Sequence, residues 1–431
     1  MAELVAVLDG EVVATLENAA GRTSLHYHDA WRGDADSYPV SLSMPLASRV
    51  HAHGQVDPFL WGLLPDNDAV LERWARKFGV SARNAFKLIA NVGEDCAGAI
   101  QFLAPERVEH VLAAPAAEVA WLNEEEVAAR LRLLRDDAAA GRAARDTGQF
   151  SLAGAQPKTA FLRQNDRWGI PAGRTPTTHI LKPTTTSFDG HAENEHLCMR
   201  LATTLGLPTA ISEVRVFGDL SVIVVERFDR DTADGELFRI HQEDVCQALS
   251  IHPSRKYQND GGPGVRDIVK LLRSNVYQPP DGNDTIDAAE EDVWRFLDAL
   301  LFNWLIGGTD AHAKNYSLYI GSQGLVRLAP LYDLGSIFAY PDIDARRAKM
   351  AMRVAGKYRL SEIALRHWAE LAAEVGVSAD ALISRARSMA MEIADAAVGV
   401  AAHMRSEGVN HAVLPAIVDG IAKQAQAVAA Q

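Results

Sequence analysis

Gly307-Gly308-Thr309-Asp310-Ala311-His312-Ala313-Lys314-Asn315, followed by Tyr332-Asp333-Leu334-Gly335, is the stretch whose chemistry orders the rest of the chain. It gathers two carboxylates and a carboxamide. Between them Tyr316-Ser317-Leu318-Tyr319-Ile320 is rich in strand formers, Gly321-Ser322-Gln323-Gly324 signals a turn, and Leu325 to Leu328 is apolar again. That pattern predicts a hairpin. If Ile320 faces Leu325, Asp333 comes opposite His312, three residue steps from Asn315, or roughly 10 Å along the strand. Side chains and a metal ion span such a gap. Upstream, Val293 to Ile306 is apolar on most sides, as a buried supporting helix would be.

The spacing D-x-x-x-x-N from Asp310 to Asn315, then D-L-G from Asp333, has the order of base, amide ligand and carboxylate ligand in a protein-kinase site. A γ-phosphoryl group leaving ADP carries charge that must be balanced and held in line with the attacking hydroxyl. Asp310 suits orienting or deprotonating that hydroxyl, and Asn315 and Asp333 suit holding Mg²⁺ through hard oxygens. Singly, a turn-capping Asp310, a loop-ending Asn315 and a turn-opening Asp333 are commonplace. Their ordered combination points to ATP-dependent phosphoryl transfer.

Other kinase parts lie upstream. Thr178-His179-Ile180-Leu181-Lys182-Pro183 reads as a short strand ending in a lysine placed to pair with phosphate. Gly190 to Leu205 has apolar Leu197, Leu201 and Leu205 at helical spacing and carries Glu193 and Glu195, either of which suits pairing with that lysine. Ser221-Val222-Ile223-Val224-Val225 reads as a buried strand running into Glu226-Arg227-Phe228, where a kinase hinge would bind adenine through its backbone. Ser151-Leu152-Ala153-Gly154-Ala155-Gln156-Pro157-Lys158 matches no standard phosphate loop, yet its small residues let backbone N–H groups approach a phosphate.

Together SLAGAQPKTAFL (Ser151 to Leu162), TTHILKP (Thr177 to Pro183), ERFDR (Glu226 to Arg230), QEDVCQ (Gln242 to Gln247), KYQNDGGPG (Lys256 to Gly264) and the catalytic segments closely resemble HipA serine/threonine kinases, the toxins of HipBA toxin–antitoxin modules. Gly62-Leu63-Leu64-Pro65-Asp66-Asn67 and Gly93-Glu94-Asp95-Cys96-Ala97-Gly98-Ala99 resemble that family's amino-terminal subdomain. The resemblance implies that Asp310 is the proton acceptor, Asn315 and Asp333 the magnesium ligands, and Lys182 the phosphate-binding lysine, with Glu195 its better-aligned partner. It implies ATP contacts from Ala153, Gly154, Ala155, Gln156, Pro157, Lys158, Glu226, Arg227, Phe228, His312, Ala313, Lys314, Tyr332, Leu334 and Gly335, and autophosphorylation at Ser151. It also implies a protein-serine substrate, with glutamyl-tRNA synthetase the leading candidate among aminoacyl-tRNA synthetases, growth arrest through blocked translation, and restraint by a HipB-like helix-turn-helix antitoxin dimer.

Composition bounds these readings. The 431 residues, 48% of them hydrophobic, suffice for two or three domains. Three widely spaced cysteines, Cys96, Cys198 and Cys246, lack metal spacing, and with no signal-like start or membrane-length apolar run they suggest a cytoplasmic protein. A net charge of −13 argues against strong DNA binding by the chain alone. Arg346, Arg347, Lys349, Arg353, Lys357 and Arg359 nevertheless fall in one acid-free run. Such a run is usually a solvated surface, but the HipA resemblance implies that the carboxy-terminal domain approaches operator DNA when an antitoxin is bound, and makes Arg353 and Lys357 the expected contacts.

The fold expected is α+β, two-lobed and protein-kinase-like, with ATP in the cleft. Residues 1–106 would form the amino-terminal subdomain, 107–145 a connecting helical segment, 146–238 the ATP-binding part of the amino-terminal lobe, and 239–431 a helical catalytic lobe. Leu4 to Leu8 and Val12 to Leu16 flank Asp9-Gly10 as a type I′ hairpin, Asp66 to Phe78 and Ala82 to Ala90 read as helices, and Asn123 with Glu126 reads as a capping box for a helix through Ala140 ending at Gly141. Ser361 to Val375, Ala379 to Val398 and His411 to Val428 read as long helices, with strands scarce beyond residue 239 apart from the catalytic hairpin. Two other functions fit parts of the pattern: a small-molecule phosphotransferase of the aminoglycoside- or lipid-kinase type, and a non-catalytic DNA-associated corepressor.

Overall fold

Alternation and turn chemistry build the first sheet. Strands Ala2–Leu8 and Glu11–Ala19 pair antiparallel with Leu8 opposite Glu11, and the intervening Asp9 and Gly10 both have positive φ, 51° and 84°. This is the expected type I′ turn, whose twist matches that of the strands. The computed structural model describes residues 2–113, 119–137, 151–154, 156–173, 175–185, 188–275 and 286–431. They form two compact units, Met1–Pro183 with Val216–Ser254 and Leu318–Val326, and Thr184–Arg215 with Arg255–Ser317 and Arg327–Gln431.

In the first unit, the amino-terminal hairpin belongs to a five-stranded antiparallel sheet closed by Val50–His51 on one edge and Gln101–Leu103 on the other. Leu4, Leu16, Phe59, Leu60, Phe86, Ile89 and Phe102 share its core with helices His53–Leu63 and Ala85–Val92. Helix Asp68–Phe78 starts where Asn67 Oδ1 accepts the N–H groups of Ala69 and Val70, and stops at Gly79 with φ 66°. Both helices expected here form within a few residues of their expected bounds. His53–Leu63 was not expected, because Gly54, Pro58 and Gly62 weaken its helical signal. Burial of Val56, Phe59, Leu60 and Leu63 offsets that weakness.

Within a six-stranded sheet, the run Leu220–Glu226, His179–Pro183, Thr159–Gln164, Arg167–Ile170, Ala120–Leu122 lies in this same unit. Asn123 and Glu126 form the expected capping box of helix Glu124–Asp136, whose Val127, Leu131 and Leu134 pack on Phe161, Trp168, Leu181, Val222 and Val224. The end expected for that helix, Ala140 and Gly141, lies outside the described residues.

The second unit is mainly helical. Helix Ile286–Ile306 buries Phe296, Leu297, Leu300, Leu301, Trp304 and Leu305 and ends at Gly307, whose φ of 67° favours glycine and where a Cβ would lie 2.9 Å from the Phe338 ring. Helices Leu365–Val375, Ala379–Ser406 and Val413–Ala429 form as expected, with Trp368 packed 5.4 Å from Trp304 between ring centres. Helix His191–Thr204 packs on Ala379–Ser406 and Val413–Ala429. For that reason Thr184–Arg215, expected in the ATP-binding part of the amino-terminal lobe, groups with the helical unit.

Two details depart from expectation. Beyond residue 239 there are further strands: Gln242–Asp244, and a hairpin of Lys349–Val354 with Lys357–Arg359 around Ala355-Gly356. The basic residues on the exposed side of that hairpin mask the buried Met350, Met352 and Val354 in the sequence pattern. In the hairpin between Asn315 and Asp333, Gly321, not Ile320, meets Leu325 (N–H to carbonyl, 2.9 Å), and Ala329 N–H donates to the Ser317 carbonyl at 2.9 Å. The register is therefore one residue from that expected, because the turn includes Gln323 and Gly324 at positive φ.

Candidate active site

In the second unit the segment after Gly307-Gly308 is folded by its own backbone. His312 N–H donates to the Asp310 carbonyl (2.8 Å), Asn315 N–H donates to the His312 carbonyl (2.9 Å), and the Asn315 side-chain amide returns to the Asp310 carbonyl (2.9 Å). The last bond turns the amide nitrogen inward, so that Oδ1, the atom a hard cation prefers, is on the other branch. Asp310 stands exposed, and its Oδ1 accepts the Tyr257 hydroxyl.

Asp333 is brought to this segment by its neighbour. The Tyr332 hydroxyl contacts the Lys314 carbonyl at 2.7 Å and Ser317 Oγ at 2.8 Å. Behind it, Asn194 binds Ser336 on both sides, Nδ2 to the carbonyl and Oδ1 from the N–H, each 2.9 Å, while Leu331 exchanges backbone bonds with Pro208 and Ala210. Asp292, nearly fully buried, holds the incoming strand through Leu328 N–H and the Arg327 guanidinium, both 2.8 Å. Asp333 itself has φ 57°, a left-handed conformation that costs a non-glycine residue free energy and persists only where surroundings impose it. Asn315 and Asp333 thus meet the requirement for a magnesium pair in donor chemistry, two hard oxygens in one unit. Among the described residues no three His, Cys, Asp or Glu side chains gather as a self-sufficient cage.

The first unit carries the other residues. Lys182 sits in a central strand, paired with Ile223, and is 6% exposed. Strand alternation puts it on the face of Ile180, which packs on Leu152 and Ala160, rather than on the core face of Leu181. That is also the face of the loop after Ser151. Gly154 has φ 107°, Lys158 Nζ donates to the Ala153 carbonyl at 2.5 Å, and Asp66 N–H donates to the Gly154 carbonyl at 3.1 Å. Ser151 is fully buried, its Oγ donating to the Leu63 carbonyl at 2.7 Å and its N–H to the Asp95 carbonyl at 3.0 Å.

Beside it lies a buried charge network. Arg227 donates to Asp229 through Nε and Nη2 (3.0 and 2.9 Å) and to Thr177; Arg230 donates to Asp95 (3.0 Å) and to the Cys96 and Gly98 carbonyls; Arg239 reaches Asp95 at 3.3 Å. Burial raises the Asp95 carboxyl, but Arg230, Arg227 and Arg239 outweigh it and hold the group well below the usual carboxylate range. Burial, followed by repulsion from Arg227, lowers Arg230 to about 10, still charged at neutral pH.

Residues 4–103 match the HipA N-terminal domain and residues 150–400 the HipA-like C-terminal domain. The chain belongs to the HipA family. It is similar to the putative kinase Y4mE of Sinorhizobium fredii, at 36% identity covering 97% of each chain, and to the serine/threonine-protein kinase toxin HipA of Shewanella oneidensis, at 30% identity covering 89% of this chain and 85% of that one. Its fold resembles the solved HipA, HipB and operator DNA complex from Shewanella oneidensis, with TM-score 0.81 and 26% identity over 99% of this chain and 97% of that chain. The α+β HipA fold read from the sequence is therefore correct.

Within this HipA-family chain, Asp310, His312, Ala313, Lys314, Asn315, Tyr332, Asp333, Leu334 and Gly335 fall in one unit, and Ser151, Ala153, Gly154, Gln156, Pro157, Lys158, Lys182, Glu226, Arg227 and Phe228 in the other. Ala155 lies outside the described residues. The Arg227 guanidinium is bonded within the buried network, and its N–H donates to the Thr178 carbonyl at 2.9 Å. Glu195, 1% exposed, lies 3.3 Å from His191 one turn earlier. All six basic residues of the run 346–359 are exposed. Sequence reasoning gave no role to Asn194, Asp292 and Tyr257. Asn194 and Asp292 had a signal, a polar residue on the buried side of a helix; Tyr257 had only its place in KYQNDGGPG.

Proposed function

We propose that this HipA-family chain is an ATP-dependent serine/threonine-protein kinase. The observation that supports it most is the bond from Tyr332 to the Lys314 carbonyl, which ties the Asp333 segment to the loop presenting Asp310 and Asn315. Asp310 takes the proton of a serine hydroxyl as its oxygen bonds to the γ-phosphorus of ATP and the bond to ADP breaks. Lys182 holds the phosphates, the Ala153 to Lys158 loop and the backbone of Glu226 to Phe228 hold the rest of the nucleotide, and Asn315 and Asp333 would hold magnesium. When bound, the ion neutralises charge on the transferring group.

The acceptor is a serine of an aminoacyl-tRNA synthetase, glutamyl-tRNA synthetase first among them, so that activity in the cytoplasm arrests translation and growth. Restraint comes from a HipB-like antitoxin, with Arg353 and Lys357 meeting operator DNA in that complex. Support for the partner is the resemblance to a HipA bound to HipB and DNA. Self-phosphorylation of Ser151 is the off switch: a phosphate adds about −1.5 to −2 charge at pH 7 beside the Leu63 carbonyl, where none can be buried, and expels the loop.

Radiolabelled ATP incubated with the protein and cell lysate tests the reading. Label should enter Ser151 and one dominant translation protein, and Asp310→Gln should abolish both. Label passing to a small alcohol would favour the small-molecule phosphotransferase, and no transfer at all the corepressor.

A further inference from the structure

The run KYQNDGGPG, Lys256 to Gly264, supplies none of the groups assigned above to phosphoryl transfer, yet it is built against the proposed base. The Tyr257 hydroxyl donates to Asp310 Oδ1, and its ring meets the His312 ring edge-on, 5.0 Å between centres and 82° between planes. The Lys256 carbonyl accepts Ala313 N–H at 3.3 Å. Behind the ring, the Tyr257 carbonyl accepts the N–H groups of Asp260 and Gly262, both at 3.0 Å, and Gln258 Oε1 accepts Arg353 N–H at 2.8 Å. A Cβ at Gly262 would lie 2.0 Å from the Arg255 carbonyl oxygen, and one at Gly264 would lie 2.1 Å from Gln258 Nε2. A side chain at Gly262 would therefore force the backbone of the turn that aims Tyr257 to shift, whereas one at Gly264 would displace the end of the Gln258 side chain.

We propose that Tyr257 is the positioning residue of Asp310. It rests on Asp310 being the base. An exposed aspartate turns readily about its last side-chain bond, whose torsional wells are broad. A base is effective only when its lone pair points at the hydroxyl being deprotonated. A phenol is long and rigid enough to reach the carboxylate from a neighbouring loop, and its hydrogen bond to an anion is of the strong, charge-assisted kind. Tyr257 sets the rotation of the Asp310 carboxylate, while contact with the His312 ring sets the phenol.

Tyr257→Phe keeps the ring and deletes the hydrogen bond. With label transfer into lysate protein measured at varied ATP, its maximal rate should fall about tenfold, the loss of one charged hydrogen bond in the transition state, with the apparent KM for ATP unchanged. A variant that keeps the wild-type rate, runs faster because the phenol had blocked Asp310, or loses only ATP affinity overturns the proposal. Independently of activity, 3-fluorotyrosine incorporated throughout should give a fluorine signal that is missing in Tyr257→Phe and displaced in Asp310→Asn. If Asp310→Asn leaves that signal in place, hydroxyl and carboxylate are not joined in solution and the proposal falls. A wild type that transfers no label counts against the kinase reading instead, and the fluorine comparison still decides the Tyr257–Asp310 contact.

Discussion

Asp95, Asp229, Arg227 and Arg230 in the first unit are buried and are bonded to one another and to the half-buried Arg239, whereas in the second unit Asp310 is exposed and Asp333 half-buried, fixed by a tyrosine hydroxyl and by backbone. In the first group both carboxylates are answered by guanidinium groups within the fold, so removing an arginine strands a carboxylate in a low-dielectric interior. The second group is fixed by hydrogen bonds from a tyrosine hydroxyl and from backbone, and Asp310 presents its carboxylate at the surface. Both sets look alike as letters, ERFDR against GGTDAHAKN; what separates them is burial, which the letters do not carry.

The sharpest way to break that contrast is Arg230→Met. It leaves Asp95 short of its strongest cation and should cost roughly 3–5 kcal/mol in urea unfolding, as broken buried pairs do. A loss under about 1 kcal/mol, the level of a surface pair, would place the network nearer solvent than its burial says. Asp310→Asn is the mirror experiment: phosphoryl transfer should fall by about 10²–10⁴-fold while unfolding stability changes by about 0.5 kcal/mol or less. A large stability change would make Asp310 structural. Ser151→Asp should come next, weakening ATP binding in calorimetry by about tenfold or more because the buried Oγ site cannot hold a carboxylate. Full affinity would remove the off-switch idea.

Glu243 sharpens the contrast by pH. It is buried and accepts Leu42 N–H at 2.7 Å, and burial pushes its carboxyl from 4.5 up to about 8 despite the Ser41 and Leu42 hydrogen bonds. A raised native value means that the unfolded chain releases this proton first, so the contribution is full below pH 4.5 and lost as pH rises through about 8. Wild type should therefore lose stability relative to Glu243→Gln across that window, by at most about 1.4 kcal/mol per pH unit. Parallel stabilities would show the carboxyl to be solvated. The smallest effect is expected from Arg353→Glu with Lys357→Glu: these exposed charges should leave stability and transfer intact and reduce the salt slope of operator binding with antitoxin by about two.

The elements legible in the sequence were those with strong local chemistry. Asp9-Gly10, the Asn123–Glu126 capping box and the apolar Val293 to Ile306 specify their own conformations, and each appears where expected. Helix His53–Leu63 and the basic hairpin were not legible, since glycines and proline in one and arginines in the other contradict the local pattern and only burial elsewhere offsets them. The buried network around Arg227 was not legible either, because burial cannot be seen in ERFDR.

Sequence alone determined the α+β HipA class, the order Lys182, Asp310, Asn315, Asp333, and the hairpin between the last two, because spacing, periodicity and turn residues act within a few neighbours. Tertiary structure decided what those side chains touch: that Asn194 and Tyr332 hold the Asp333 segment, that Arg227 serves the interior, and that Tyr257 reaches Asp310 from 53 positions away. Such contacts join residues distant in the chain, and their free energy depends on burial and direction, which no local pattern encodes.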